Sequence, residues 1–386
     1  MNQVKLFLAC VCCLFLTSCT GLKNIQDLTY IVAIGMDFDV DKKEYTVYLQ
    51  GLDFADVAKQ EGGRPVEPAP IFLASATGET LNLAISKLYK VSEPPLFFGH
   101  TNVLLVTEKL VKHKFKELIE EIGRNRSLRP TLRVIVTKDP LEETLSTNAL
   151  FSYPAVYTIL FKKNSDELAQ NEIRPMVLMD FLREFYEPMG VARIPTVKID
   201  QNSWKAEKEY PVLYFDGYAI FQQQEYVTTL PFEDALFINW LLEKSVTLDQ
   251  KVEKDGELIA AVKLVSPKMK IKYDPGSLSP TFSIELAIQA DLLEKIKDIP
   301  LDNLTKLIED SLKKKITSLY SVGIQNKIDI LNAGVKWYRK NPMKFQELKQ
   351  SKTFYLDDHS LKDVKVNVQI IHSNNYKYDQ RGNGGY

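Results

Sequence analysis

Asn102-Val-Leu-Leu-Val-Thr107 and Thr131-Leu-Arg-Val-Ile-Val136 bracket a segment in which Phe115, Leu118, Ile119 and Ile122 recur at helical spacing. Each flanking run is short, mostly apolar and rich in β-branched residues, as a strand requires, and the first reads as buried. Between them apolar residues return every three or four positions, so one side of a helix faces a core, and Gly123 marks its end. Strand, helix, strand in this order builds a sheet with helices packed on it. The expected fold class is α+β, a mixed α/β chain of several domains.

Working toward the N-terminus, Leu81, Ala84, Ile85 and Leu88 share one helical face, and Thr80 precedes them as a side-chain cap. Ile31–Met36 and Tyr45–Gln50 read as strands joined across the acidic turn Asp37–Lys43, a hairpin. Residues Ala55–Pro70 carry Gly, Pro and charge and read as a mobile loop.

Toward the C-terminus, Leu141–Met189 reads as mostly helical, interrupted at Pro154 and Pro175, and Ile194–Ile199 as extended. Val212–Phe221 and Tyr226–Leu230 are strand-like, Phe232–Leu242 is an apolar helix, and Val246–Leu292 is β-rich with a turn at Asp274-Pro275-Gly276. Leu301, Leu304, Ile308, Leu312, Ile316 and Leu319 fall on one side of a long amphipathic helix. Val364, Val366, Val368 and Ile370 alternate as in a strand with one buried face. The polar, glycine-rich stretch Asn374–Tyr386 reads as a disordered tail. These texture changes suggest an N-terminal α/β domain over 19–200, a small middle domain over 201–245, a C-terminal α+β domain over 246–373 and the tail 374–386.

Residues 1–18 have the character of a lipoprotein signal peptide. Lys5 supplies the positive flank, and Leu6–Leu16 is an uncharged run of 11 residues, well short of the about 20 that a spanning helix needs. Leu16-Thr17-Ser18-Cys19 matches a lipobox, with small residues before the cut and a cysteine whose thiol can take a diacylglyceryl group. Cys19 is therefore the expected lipidation site, S-diacylglycerylated and N-acylated. All four cysteines (Cys10, Cys12, Cys13 and Cys19) lie in this stretch, so the rest of the chain carries no disulfide framework. Two or more acyl chains on one residue suffice for stable anchoring.

Composition narrows the function classes. Lys+Arg 49 against Asp+Glu 50 gives a net charge of −1, so no electrostatic case for nucleic acid arises. Asp37, Asp39 and Asp41 alternate like the first ligands of a calcium loop, but Lys42 and Tyr48 stand where that loop needs Gly and Glu. His100, His113, His359 and His372 are scattered and form no metal-binding spacing. Nucleophile elbow, phosphate-binding loop and dinucleotide fingerprint are all missing. The expectation is a protein without catalytic residues, metal or cofactor.

Two clusters remain as candidate interaction positions. In Pro94-Pro95-Leu96-Phe97-Phe98-Gly99-His100 the prolines fix an extended backbone, Gly99 permits close approach, and His100 can hydrogen-bond through either ring nitrogen. A packed turn with a satisfied histidine explains the same residues. Arg124, with Arg126 and Arg129, follows the helix that ends near Gly123, where cations complement the helix C-terminus; an acidic partner surface is the functional alternative.

In order along the chain, several motifs resemble those of the C subunits of Ger-type nutrient germinant receptors of endospore-forming bacteria, the GerAC or Ger(x)C lipoproteins. They are the lipobox at Cys19, Ile31-Val-Ala-Ile-Gly-Met-Asp37, the Gly99-His100 turn and Arg124-Asn125-Arg126. Phe215-Asp-Gly-Tyr-Ala-Ile-Phe221 follows, then Asp329-Ile-Leu-Asn-Ala-Gly334 with Trp337-Tyr338 and Asn341-Pro342. Met36 stands where the family often has Ile. The resemblance implies three mixed α/β domains held by lipid on the outer face of the spore inner membrane. It also implies polytopic A and B subunits as partners, with the nutrient ligand bound by another subunit. It carries no catalytic residue to this chain. The alternative from another class, a solute-binding lipoprotein serving a transporter, would need two similar α/β lobes around a cleft.

Overall fold

The computed structural model describes residues 28–52, 70–124, 128–162, 169–170, 172–205, 209–243, 246–351 and 354–372. The first of these segments begins with β1 (Thr29–Asp39), whose stretch Ile31–Met36 is buried throughout. The Asp39 carboxylate accepts the N–H groups of Asp41 and Lys42, each at 3.0 Å, and so turns the chain into β2 (Glu44–Leu52). The acidic run is thus a hairpin turn, with Asp39 closing it from within. β3 (Phe72–Gly78) pairs antiparallel with β2.

Next come α1 (Leu81–Tyr89), capped by the Thr80 hydroxyl accepting from Leu83 N–H, then β4 (Leu96–Phe97) and β5 (Val103–Thr107). α2 (Glu108–Arg124), β6 (Arg133–Thr137) and α3 (Leu141–Ser146) follow. The expectation of a mostly helical Leu141–Met189 is corrected here. Beyond the six-residue α3 lie three single 3-10 turns at Leu150–Ser152, Ala155–Tyr157 and Ile159–Phe161. Phe151 and Ser152 take left-handed φ of 59° and 62°, and Pro154 offers no N–H, so an α-helix cannot propagate.

β7 (Ala169–Gln170), β8 (Met176–Val177), α4 (Leu178–Tyr186), β9 (Val191–Asp200), β10 (Val212–Gln222), β11 (Glu225–Pro231) and α5 (Phe232–Leu242) come next. The C-terminal part holds β12 (Val246–Lys254), β13 (Glu257–Tyr273), β14 (Phe282–Lys295), α6 (Leu301–Gln325), α7 (Ala333–Lys340), α8 (Pro342–Ser351) and β15 (Leu361–His372). α7 and α8 have no counterpart in the sequence reading, since α8 buries too little apolar surface to show a stripe. Asn341 closes α7 by donating to Trp337 O, and its own carbonyl accepts from Phe345 N–H, while Pro342 occupies the first position of α8. Residues 1–27, the greater part of the expected loop Ala55–Pro70 and the tail 374–386 lie outside the described residues.

Strands from β1 to β11, apart from β7, form one ten-stranded sheet in the order β11-β10-β9-β6-β5-β1-β2-β3, with β4 beside β1 and β8 beside β6. β1, β5, β6 and β9 run parallel, and an antiparallel hairpin extends each side. Parallel strands covered on both faces must be apolar on both, which is why Val103–Val106 reads as a continuous run. α1, α2 and α4 cover one face, where Phe115, Phe181 and Phe221 pack ring on ring. The second sheet, β15-β14-β13-β12-β7, buries Ile284, Leu286, Ile288 and Ala290 at alternate positions. Leu304, Ile308, Leu312 and Ile316 of α6 belong to the same core.

α5 joins the two sheets. Seven of its eleven residues, Ala235–Leu241, are buried, so this stretch is covered around its whole circumference rather than along one stripe. Trp240 is 0% exposed, and its Nε1–H donates to Leu264 O on β13 at 3.2 Å. Asn239 accepts from the Tyr218 hydroxyl of β10 at 3.0 Å and donates to Glu172 O at 2.8 Å. One continuous core therefore runs from the second face of the large sheet through α5 into the small one. Two similar lobes around a cleft are not what this arrangement gives. The boundary expected after residue 200 falls between β9 and β10, which are hydrogen-bonded neighbours in the large sheet.

Trp240→Ala removes the largest side chain of this junction and leaves Leu264 O without its donor. It should cost about 3–5 kcal/mol of unfolding free energy in denaturant titrations, whereas Leu278→Ala, at a 70% exposed turn position, should leave the midpoint unchanged.

Candidate functional site

In open sheets with parallel strands, ligand sites form outside the carboxyl ends of those strands. Here that edge carries a cleft of about 470 Å³ lined by Asp37, Thr107, Glu108, Lys138, Asp139 and Glu142, among others. Several of its polar groups are turned on one another. The Thr107 hydroxyl donates to the Asp37 carboxylate, and Asp139 accepts Ile199 N–H at 2.8 Å. Glu108 meets Lys112 at 2.7 Å and Lys138 at 3.4 Å, and also accepts from the hydroxyls of Tyr226 and Thr229. Burial opposes ionisation of Glu108, but the two ammonium groups outweigh it and hold the carboxyl below its ordinary range. The arrangement clamps the start of α2 against β11.

The candidate interaction positions are not brought together there. His100 is exposed at the opposite, amino-terminal edge of the parallel strands, with ring contacts to Tyr30 at 5.2 Å and Phe97 at 5.8 Å, and its carbonyl accepts from Asn102 at 3.0 Å. Arg124, 71% exposed at the end of α2, pairs with Glu121 at 3.2 Å and Glu120 at 3.8 Å of its own helix. Exposed pairs of this kind contribute at most about 1 kcal/mol. Arg126 and Cys19 lie outside the described residues. Among the described residues, no group of three His, Cys, Asp or Glu side chains could hold a metal ion, and no helix is long and apolar enough to cross a membrane.

The motifs of the second half meet at a buried node instead. Gly217 lies so close to β11 that a Cβ there would stand 2.1 Å from Leu230 O, so only glycine allows the strand pairing. Five residues further on, Gln222 reaches across to the C-terminal part. Its Oε1 accepts Asp329 N–H at 3.0 Å, and its Nε2–H donates to the Tyr355 hydroxyl at 3.2 Å. Tyr355 OH lies 3.2 Å from Asp329 Oδ2 and 3.4 Å from Met189 O, either of which can accept its proton. The Asp329 carboxylate also receives the N–H groups of Ala333, at 2.9 Å, and Gly334. This closes the loop before α7, in which Asn332 is left-handed with φ 54°. A Cβ on Gly334 would stand 2.7 Å from the Tyr355 ring, so glycine lets that ring seal the node.

Desolvation pushes the Asp329 carboxyl up to about 6, against the pull of the Gly334 and Ala333 N–H groups, the Tyr355 hydroxyl and the Arg193 charge. Burial likewise drives the Tyr355 phenol well above its ordinary value. Sequence reading found Asp329–Gly334 only through resemblance. A lone acid inside Ile328-Asp-Ile-Leu331 is itself a signal of burial, but nothing in the sequence marks Gln222 or Tyr355 as its partners.

Fold and site together define a mixed α+β protein whose buried polar groups hold the structure together. A family model described as spore germination protein N-terminal domain matches residues 21–199. A second, spore germination B3/GerAC like, C-terminal, matches residues 216–374. Spore germination protein KC of Bacillus subtilis (strain 168) is 23% identical over 372 residues, 87% of each chain. Spore germination protein GerQC of Bacillus cereus is 22% identical over 338 residues, 85% of this chain and 88% of that one. The crystal structure of the GerBC protein superposes with a TM-score of 0.54 at 16% identity, over 90% of this chain and 100% of that one, which supports the same fold. The chain belongs to the Ger(x)C family of spore germination proteins.

A carboxyl raised from 3.8 to about 6 in the folded state favours the folded state in its neutral form. Its contribution is complete below pH 3.8 and is lost as pH rises through about 6. Relative to Asp329→Asn, which does not titrate, the native chain should lose roughly 2–3 kcal/mol of unfolding free energy between about pH 4 and pH 7. Parallel pH profiles in both proteins, measured by urea titration, would refute this assignment.

Proposed function

We propose that the chain is the lipid-anchored C subunit of a nutrient germinant receptor, acting in nutrient-triggered spore germination through protein contacts at a membrane surface. The observation that carries this reading is the ordered match of both family models across residues 21–374, directly following the lipobox Leu16–Cys19. Its partners in this reading are the integral-membrane A and B subunits, and the nutrient binds to one of those. The three acyl chains on Cys19 hold the protein on the outer face of the spore inner membrane. Confinement beside the partners raises the effective concentration, so individually modest contacts suffice for assembly. The subunit performs no catalysis in this reading; Glu108 and Asp139 of the cleft are engaged in internal ion pairs and a backbone hydrogen bond. The domain division at 200/201 and 245/246 is retained as part of this proposal.

Two experiments test the proposal. Spores lacking the gene should fail to germinate on at least one nutrient that triggers the parent, and normal germination across all nutrients in a strain without paralogues would refute the receptor role. Cys19→Ala should abolish incorporation of labelled fatty acid and release the protein from the membrane fraction. Continued lipid labelling of that variant would refute the anchor.

A further inference from the structure

The edge of the large sheet at which β1 begins carries a cluster of apolar side chains left largely exposed by the fold. Val91 is 78% exposed, Phe72 59%, Tyr89 54% and Phe97 37%. Contacts tie them to the first described residues of the chain. Thr29 N–H donates to Pro95 O at 3.0 Å and the Thr29 hydroxyl to Pro94 O at 2.9 Å, binding the segment between Tyr89 and His100 to the start of β1. Tyr30 packs edge-on against Phe97 at 5.6 Å and His100 at 5.2 Å. A Cβ built on Gly51 would lie 3.6 Å from Phe72 Cβ and 3.7 Å from Thr29 Cγ2, which sets Phe72 beside the same strand end. Tyr89 meets Phe98 at 6.3 Å. Exposed Lys90 and Glu93 bring both charge signs to the rim, so no single-sign field dominates.

Exposed apolar surface of this kind marks a contact with a partner or a membrane. The tether decides between them. Nine peptide steps separate Cys19 from Leu28, a reach of at most about 32 Å. An acyl group on Cys19 therefore keeps this edge near the bilayer. Phenolic and imidazole rings with an apolar body and a polar tip suit the headgroup layer, where one side is wet and the other dry.

We infer that the edge formed by Phe72, Tyr89, Val91 and Phe97 is a membrane-docking surface that enters the headgroup layer of the bilayer to which the chain is tethered. The inference rests on the lipid-anchor reading above. It fixes which end of the molecule faces the membrane, a question the anchor alone leaves open.

The test uses the full lipidated chain in vesicles of phosphatidylglycerol and phosphatidylethanolamine. All native cysteines lie at position 19 or before, so Val91→Cys gives the mature chain one reactive thiol for a nitrobenzoxadiazole dye. Leu278→Cys serves as the comparison. Mass spectrometry of the N-terminal peptide reports the lipid on Cys19 separately. Dye at position 91 should shift to shorter wavelength and be quenched by nitroxide-bearing lipids, while dye at position 278 behaves as in water. Adding Phe72→Ser and Tyr89→Ser, both at exposed positions, should remove the shift at 91 without changing the unfolding midpoint. Water-like emission at 91 on a chain with lipidated Cys19 overturns the docking surface and leaves the anchor standing. An unmodified Cys19 overturns the anchor and the inference with it. Quenching at 91 that survives the serine variants, or appears equally at 278, overturns the assignment to this edge.

Discussion

The joining of the two sheets depends on the burial of Ala235–Leu241 in α5. A helix with buried residues around its full circumference cannot be covered by one sheet, so it needs an apolar layer on each side. The large sheet supplies one through β10 and the small sheet the other through β12 and β13. The polar groups of that buried stretch are met by name: Trp240 Nε1–H finds Leu264 O, and Asn239 finds Tyr218 and Glu172. Every unmet group in such a place would cost about 1–3 kcal/mol, so the hydrogen bonds fix the depth and rotation of the helix while the apolar contacts hold it there. The Gln222–Asp329–Tyr355 node repeats this logic at a second point of contact, with a charge in place of an indole.

How much of this was legible in the sequence follows from which forces act locally. The parallel strands and their helices could be read because burial on both faces leaves an unbroken apolar run at Val103–Val106, and burial on one side leaves a stripe in α2 and α6. The Thr80 cap and the Asp37–Lys43 turn were legible because each closes on neighbours two or three residues away. Leu141–Met189 misled because its apolar residues pack from 3-10 turns, whose geometry depends on left-handed Phe151 and Ser152 rather than on spacing. The buried node was out of reach for a different reason. Its members at positions 222, 329 and 355 are joined by tertiary contacts alone, and only the unexpected acid at 329 leaves a local trace.

The candidate positions illustrate the same division. Arg124 ends α2 and pairs with acids one turn back. His100 sits in a packed turn, yet that turn is where the chain begins its first strand, and proximity to the tether gives its neighbours a meaning that spacing could not supply. In the cleft at the other edge, Glu108 is held by Lys112 and Lys138, and Asp139 by Ile199 N–H.

The common direction of β1, β5, β6 and β9 gives the large sheet two unlike edges. From Thr29 at one edge to Asp37 in the cleft at the other, β1 alone rises about 26 Å. In the proposed orientation the protein is a standoff. Its cleft is lifted to about the height of one strand above the bilayer, clear of the headgroups. Any neighbour that touches that end must itself project about as far from the membrane, which makes strand length a selector of which partners can be reached.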